Sequence, residues 1–387
     1  MRRLPFEYAV RSLGRRPLRT LLGVASSVLV VFLILGSVAF VRGMRRSLLV
    51  TASEGNVILL GSGSEESIER SQIDPRVATI VEASVRGVRS RLGVGHVSPE
   101  IHSALSVQVD AESQDTNLTV VRGVNERAFL VHPQVRIAKG RAPEPGRDEI
   151  AVGGVVAEQL GAEPLRPGDS VWIGERAWTV SGLLSAPNSV IEGEVWMPLT
   201  DLQILNRRDT LSCVVVTMDS EDGQSDLEAF AFQRLDLELT ALSEEGYYRD
   251  LAAFMAPIRT MVVATTLLVA LGGLLGGLNT MYAAFASRAR EIGALQVLGF
   301  RRWPIAVSLF QESLLLNSIG TIAGSVLGIV LLDDVSIRLS MGSFGLLVDG
   351  PVLLLALVAG LSLAVLGAIP PVVRCLRLPI SQALRSS

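Results

Sequence analysis

Few side chains in this sequence are of a type that could do chemistry, and their spacing argues against most of it. The histidines are His96, His102 and His132, and none stands at zinc-ligand spacing with a cysteine or a second close histidine. No Gly-x-Ser-x-Gly elbow occurs, so Ser62, within GSGSEES, reads as part of a flexible turn rather than a nucleophile. Asn117-Leu118-Thr119 matches the glycosylation triplet, a pattern common by chance. A phosphate-cradling loop G-x-x-x-x-G-K-[ST] needs a lysine to reach the β- and γ-phosphates. The one lysine, Lys139, follows Ala138 and precedes Gly140, outside any such loop. No catalytic residue, metal ligand set or cofactor site is expected, and ATP hydrolysis, if the chain depends on it, must happen on a separate subunit. One chemically loaded residue remains: Glu312, an acid inside an apolar run.

The elements that must position these residues are set by hydropathy. The chain has 387 residues, 49% of them hydrophobic, and a mean hydropathy of +0.43. The apolar residues concentrate in four runs. A bilayer core about 30 Å thick needs roughly 20 apolar residues in a helix. Residues 21–41, 257–286, 305–332 and 351–373 supply such lengths, with Arg259 and Glu312 as their only charges, and the last ends in Pro370-Pro371, where a kink or stop is expected. The first run exceeds the roughly 7–15 residues of a signal-peptide core, so it reads as an uncleaved anchor. The fold class is therefore an α-helical membrane protein with four transmembrane helices and a large α+β extracytoplasmic domain, residues 42–256, between the first two.

Arginine distribution gives the orientation. Arg2, Arg3, Arg11, Arg15, Arg16 and Arg19 precede the first run, Arg288, Arg290, Arg301 and Arg302 lie in the loop 287–304, and Arg374, Arg377 and Arg385 lie in the tail 374–387. The loop 333–350 instead carries Asp333, Asp334 and Asp349 against Arg338. Both termini are thus expected in the cytoplasm. Arg42, Arg45 and Arg46 oppose this, but long domains translocate largely regardless of charge. Cys213 and Cys375 then fall on opposite sides of the membrane and cannot pair within one chain. Residues 1–20 read equally as an amphipathic helix on the cytoplasmic leaflet or as a plain positive flank. The net charge of −3 points to no particular partner, and no nucleic acid is expected.

Within 42–256 the apolar run at 56–60 reads as a strand, and alternation with β-branched content predicts strands at 101–109 and 118–124. Residues 170–173, 177–183 and 194–197 read as hairpin strands with tight turns such as Gly174-Glu175, and 214–218 as a further strand. Helices are predicted within 72–92, at 155–160 and at 226–235, and a β-rich subdomain near 135–190.

The loop Ser287–Trp303, SRAREIGALQVLGFRRW, places Ile292, Leu295 and Leu298 on one face of a short helix that Gly299 ends. Such a helix suits docking in a groove on a cytoplasmic partner. Its segment REIGALQVLG, residues 290–299, resembles the coupling segment of ABC-transporter permeases typified by MacB, the lipoprotein-releasing permeases and FtsX. The likeness extends along the chain through EYAVRSLGRRPLRTLLG at 7–23, NVILL at 56–60, VRGV at 121–124, Gly140-Arg141, 165–180 and FQESLLLNSIGTIAGSVLG at 310–328. It implies a stand-alone permease that pairs with a second permease chain, identical or not, and with a cytoplasmic ABC ATPase carrying ATP and magnesium. Arg290, Glu291, Ile292, Leu295, Leu298 and Gly299 would then form the ATPase dock. The outer domain would be driven mechanically, for efflux or extrusion of a substrate from the periplasm or outer leaflet of an inner membrane. The resemblance also admits a non-transporting transmitter acting on an outer enzyme, a lipoprotein-releasing permease, and a periplasmic adaptor with an outer-membrane channel.

Inside the membrane, Gly272/Gly276, Gly273/Gly277 and Gly320/Gly324/Gly328 repeat every four residues, which lets helix backbones approach closely, within the chain or across a permease–permease interface. Asn279 and Asn317 are candidates for interhelical hydrogen bonds. Glu312 is either a functional intramembrane charge or an acid reaching toward Arg301 or Arg302.

Overall fold

The computed structural model describes residues 10–377 apart from residues 12, 16, 111–116, 221, 333–334 and 340–341. Most of the N-terminal flank, Asp333, Asp334 and the end of the tail therefore lie outside the described residues. The chain forms two compact units: Met1–Arg42 with Pro257–Val335 and Leu346–Ser387, and Gly43–Ala256 with Ser336–Gly345.

The second unit is built on one ten-stranded sheet. Helix α1 (Pro17–Thr51) leads into it, followed by β1 (Asn56–Gly61), α2 (Arg76–Ser84), β2 (Val97–Gln108), β3 (Asn117–Val124), β4 (Arg136–Gly140), β5 (Glu149–Gly153), β6 (Ser170–Ile173), β7 (Arg176–Ser185), β8 (Val195–Pro198), α3 (Leu199–Asn206), β9 (Cys213–Thr217), α4 (Gly223–Gln233), β10 (Leu239–Ser243) and α5 (Glu244–Phe254). The strand order is β10-β1-β9-β2-β3-β8-β5-β7-β4, with β6 pairing to both β2 and β7. Pairing is antiparallel except for β3 with β8 and β5 with β7. The predicted β-rich stretch thus forms one end of a continuous sheet.

Successive strand residues face opposite sides, and the sheet uses both. On one side Val57 and Leu59 of β1 join Val97, Ile101, Val121, Val214 and Val216 in the main core. On the other, Ile58, Leu60, Cys213 and Val215 meet Leu48 from the end of α1 and Tyr247, Tyr248 and Leu251 from α5. Burial on both faces explains why β1 and β9 read as unbroken apolar runs, NVILLG and CVVVT, rather than alternating ones. Helix α5 starts where Ser243 accepts a hydrogen bond from the Gly246 N–H, with Glu244 and Glu245 in its first turn.

The first unit contains α6 (Ala256–Ala286), α7 (Ala289–Val297), α8 (Arg302–Leu332) and α9 (Gly350–Arg377), together with most of α1. Among the described residues four helices, Thr20–Thr51, Ala256–Ala286, Arg302–Leu332 and Gly350–Arg374, are long and apolar enough to cross a membrane. The final helix does not stop at Pro370-Pro371 but continues to Arg377. Each proline forfeits one backbone hydrogen bond, a loss that membrane helices tolerate when neighbouring groups take up the freed carbonyl. Between α8 and α9 a hairpin, β11 (Ser336–Leu339) with β12 (Gly342–Gly345), belongs to the second unit and lies against its Val190–Gly193 turn.

Candidate functional site

Two sets of polar residues stand out. The first is in the membrane unit, around α7. Helix α7 begins one residue after Arg288 and ends before Gly299, whose φ of +89 is one that glycine adopts without strain. The predicted apolar face divides. Ile292 is buried with Phe285, Ile305, Leu309 and Val372, and Leu295 packs against that cluster. Leu298 is 67% exposed, beside exposed Val297, Arg290, Glu291 and Gly299. Helix α7 therefore holds to its own unit by one side and presents another to solvent, where Trp303 is also exposed.

Arg288, the residue that launches α7, donates a hydrogen bond to Glu312 of α8 at 2.7 Å, with both residues buried. The acid is thus paired with Arg288, and not with the exposed Arg301 or Arg302. Above it on α8, Ser313 bonds the Met281 sulfur, and Asn317 accepts from Ser27 at 2.7 Å and donates to the Ser313 carbonyl. These groups line a cavity of about 100 Å³ that also meets Thr280, Thr321, Gly273, Gly277 and Gly360. Its wall is mainly apolar but carries these polar groups, and it has room for several waters. Asn279 is exposed and has no hydrogen-bond partner among the described residues.

The glycine repeats separate in the same way. A Cβ on Gly324 would lie 2.8 Å from the Val28 carbonyl, and Gly320 and Gly328 abut Ser27 and Leu35, so this stripe packs on the chain's own α1. Gly273 abuts Val30, whereas a Cβ on Gly272, Gly276 or Gly277 would meet nothing within 4 Å.

The second set is a buried charge network in the outer unit that no sequence spacing announced. Arg122 of β3 donates two hydrogen bonds to Glu194, at 2.8 and 2.7 Å, and one to Glu100 of β2 at 3.0 Å. Trp196 donates its indole N–H to Glu194, and the guanidinium stacks 5.5 Å from the Trp196 ring. His132 Nε2 lies 3.0 Å from Glu100, and its Nδ1 lies 3.7 Å from Glu244, beyond hydrogen-bond range. Glu100, Arg122, His132, Glu194 and Glu244 are all at most 3% exposed.

Burial alone would push every carboxyl here up. For Glu100 the neighbouring His132, His102 and Arg122 outweigh it and hold the group well below the usual carboxylate range. Glu194 is likewise lowered against burial by Arg122 and Trp196. For Glu244 burial wins, so the group is raised despite His132, Ser53 and Asn56. Burial would lower His132, yet Glu100 and Glu244 reverse that and raise it, while burial and Arg122 lower His102. The one sequence signal for this network was Arg122 itself, a charge set between valines in VVRGV.

Glu100, His102 and Cys213 also bring ligand atoms within 4.8 Å of one another, a grouping that linear spacing did not foresee. The residues do not fit a metal ion. Glu100 is already held by Arg122, whose guanidinium would repel a dication at close range in a low dielectric. Burial moreover pushes the Cys213 thiol well above its ordinary range, away from the thiolate a metal requires.

Residues 18–231 match the MacB-like periplasmic core domain, and residues 263–380 match the FtsX-like permease C-terminal domain. The uncharacterized ABC transporter permease YknZ of Bacillus subtilis (strain 168) is 22% identical over 287 residues, 68% of this chain and 69% of that protein. YvrN of the same organism, also an uncharacterized ABC transporter permease, is 22% identical over 417 residues, 97% of each chain. The macrolide export ATP-binding/permease protein MacB of Bradyrhizobium diazoefficiens is 22% identical over 278 residues. That match takes in 66% of this chain but 41% of that protein. Among solved structures, the extracellular domain of the ABC-type transporter YknZ from Gram-positive bacteria aligns with a TM-score of 0.38 at 16% identity, covering 48% of this chain and 99% of that one.

Proposed function

The chain belongs to the family of ABC transporter permeases with a MacB-like periplasmic core and an FtsX-like C-terminal domain, and from that membership we propose that it couples ATP hydrolysis on a separate ATPase to movement of its outer domain. The chain lies in the inner membrane with both termini in the cytoplasm and works beside a second permease chain. The movement drives extrusion of a substrate from the periplasm or outer leaflet, and the chain itself hydrolyses no nucleotide.

The observation that carries this reading is helix α7. Among the described residues it is the one short helix joining two spans, it leaves Val297, Leu298, Arg290 and Glu291 exposed, and Arg288, the residue before it, is pinned to α8 by its pair with Glu312. A push on its exposed side therefore loads α8 through a buried ion pair rather than being absorbed in a slack loop. The hairpin between α8 and α9 supports a common side for the two outer segments, because it rests against the Val190–Gly193 turn.

Leu298→Arg tests the dock. It places a charge on the exposed side, whereas Leu295→Arg would also disturb the chain's own packing. Expected is loss of ATPase co-purification and of its stimulation, with the permease still folded and inserted. Undiminished binding and stimulation would remove α7 from the coupling role.

A further inference from the structure

Both chain connections of the outer segment Gly43–Ala256 converge on a single buried carboxylate. The incoming one is the end of α1 and the turn after it. There the Ser53 N–H and the Asn56 side-chain amide each donate to Glu244 Oε2 at 2.8 Å. The outgoing one is α5, which Glu244 begins and which runs on toward α6. Glu244 thus joins the last residues before the sheet to the first residues after it.

Three further features make the junction rigid. Asn56 also donates to the Val131 carbonyl and accepts from Thr217 of β9, so it cannot swing away with the turn. Gln134 bridges the Thr51 carbonyl and the Ser53 hydroxyl, while the Thr51 hydroxyl accepts from the Val190 N–H. Leu48 of α1 and Leu251 of α5 share one apolar cluster with Tyr247 and Tyr248. From Glu244 the contacts continue through His132 to Glu100, Arg122 and Glu194, so the junction is anchored on β2 and β3 in the middle of the sheet.

A carboxylate buried to 1% exposure is costly unless it is bonded, and its acceptor capacity goes to the one place where the two connections meet. A domain needing only stability could replace the carboxylate and the groups it bonds together by apolar ones at little loss. We propose that Glu244 is a positioning residue that locks the two membrane connections of the outer domain into one base, so that movement arriving through either connection turns the whole domain. Without the lock, the turn at residues 52–56 would yield and the movement would dissipate there. The inference rests on the coupling function proposed above.

The test uses the full chain, purified with its ATPase in lipid nanodiscs. Spin labels go at Leu49 and Asp250, exposed positions on the two connections, and in a second preparation at two exposed sites across the outer domain. In the wild type the Leu49–Asp250 distance is narrowly distributed, with and without ATP. Glu244→Ala broadens it and abolishes the ATP-driven change across the outer domain, while ATP hydrolysis continues. Glu244→Gln keeps an acceptor oxygen for Ser53 and Asn56 and restores both. Should Glu244→Ala fail to fold, Gln134→Ala, at a half-buried site outside the charge network, reads the same loss in weaker form. A narrow distribution and an intact ATP response in Glu244→Ala, or in Gln134→Ala if that variant alone folds, would overturn the lock. Absence of any ATP response in the wild type would instead sink the coupling function, and the label widths without nucleotide would still report on the lock.

Discussion

The outer unit and the membrane unit both bury an arginine against glutamate, and they differ in how many groups hold it and in the room beside it. Arg122 sits among Glu100, Glu194 and the Trp196 ring, with its side chain 2% exposed, beside a cavity of about 50 Å³. Arg288 and Glu312 face a larger cavity of about 100 Å³, mainly apolar but with Asn317 and Thr321 on its wall. A network in which one arginine is shared by two carboxylates and an aromatic ring resists rearrangement, because any displaced charge is left without compensation. A single ion pair beside a larger cavity with polar groups on its wall has room to lengthen and re-form. The contrast fits a division of labour in which the outer domain turns as a block and the deformable joint lies where α7 meets α8.

Removing one partner from each pair breaks the comparison most directly. Arg122→Leu leaves two buried carboxylates facing one another, and a loss of ~3–5 kcal/mol is expected, read as faster hydrogen exchange across β2 and β3 in the full-length chain. Glu312→Gln should cost clearly less, since water can solvate Arg288, and should shift the detergent unfolding midpoint only modestly. Equal losses would erase the distinction.

The glycines sharpen it at a smaller scale. Gly324→Leu forces a side chain against the Val28 carbonyl and should cost ~1–3 kcal/mol, typical of overpacking. Gly272→Leu meets open space and should change the stability of the single chain by no more than about 0.5 kcal/mol. A large effect at Gly272 in the assembled complex, absent from the single chain, would place that stripe against another helix.

The smallest effect is a pH dependence. The pKa of His132 is raised on folding by Glu100 and Glu244. Its contribution to stability is therefore complete below the unfolded imidazole value of about 6.5 and is lost as pH rises through the folded value. Outer-domain melting temperature should fall over that interval in the wild type and stay flat in His132→Gln.

The spans were legible because a bilayer imposes a length that few other structures need, and the short helix after Arg288 because a glycine and two arginines end it. Strands β6 and β7 were legible from their turn at Gly174-Glu175 and, in β7, from alternating burial. Strands β4, β5 and β10 were not, being short segments whose pairing is decided by distant partners. Helix α5 was missed because its buried residues include Glu244 itself beside Tyr247, Tyr248 and Leu251. The charge network was hidden for a related reason: Glu100, Arg122, His132, Glu194 and Glu244 come from five separate segments, two strands, two connections and the start of α5, that only the folded sheet and its connections bring together.

The central claim is that work done by a separate ATPase reaches the outer domain through this chain. It is tested most directly by measuring the distance between two labels, one on the outer domain and one on its counterpart in the paired permease, with ATP trapped on the complex. The distance should change on trapping in the wild type and remain fixed in Leu298→Arg. A distance unmoved by ATP in the wild type, or one that still changes in Leu298→Arg, would contradict it.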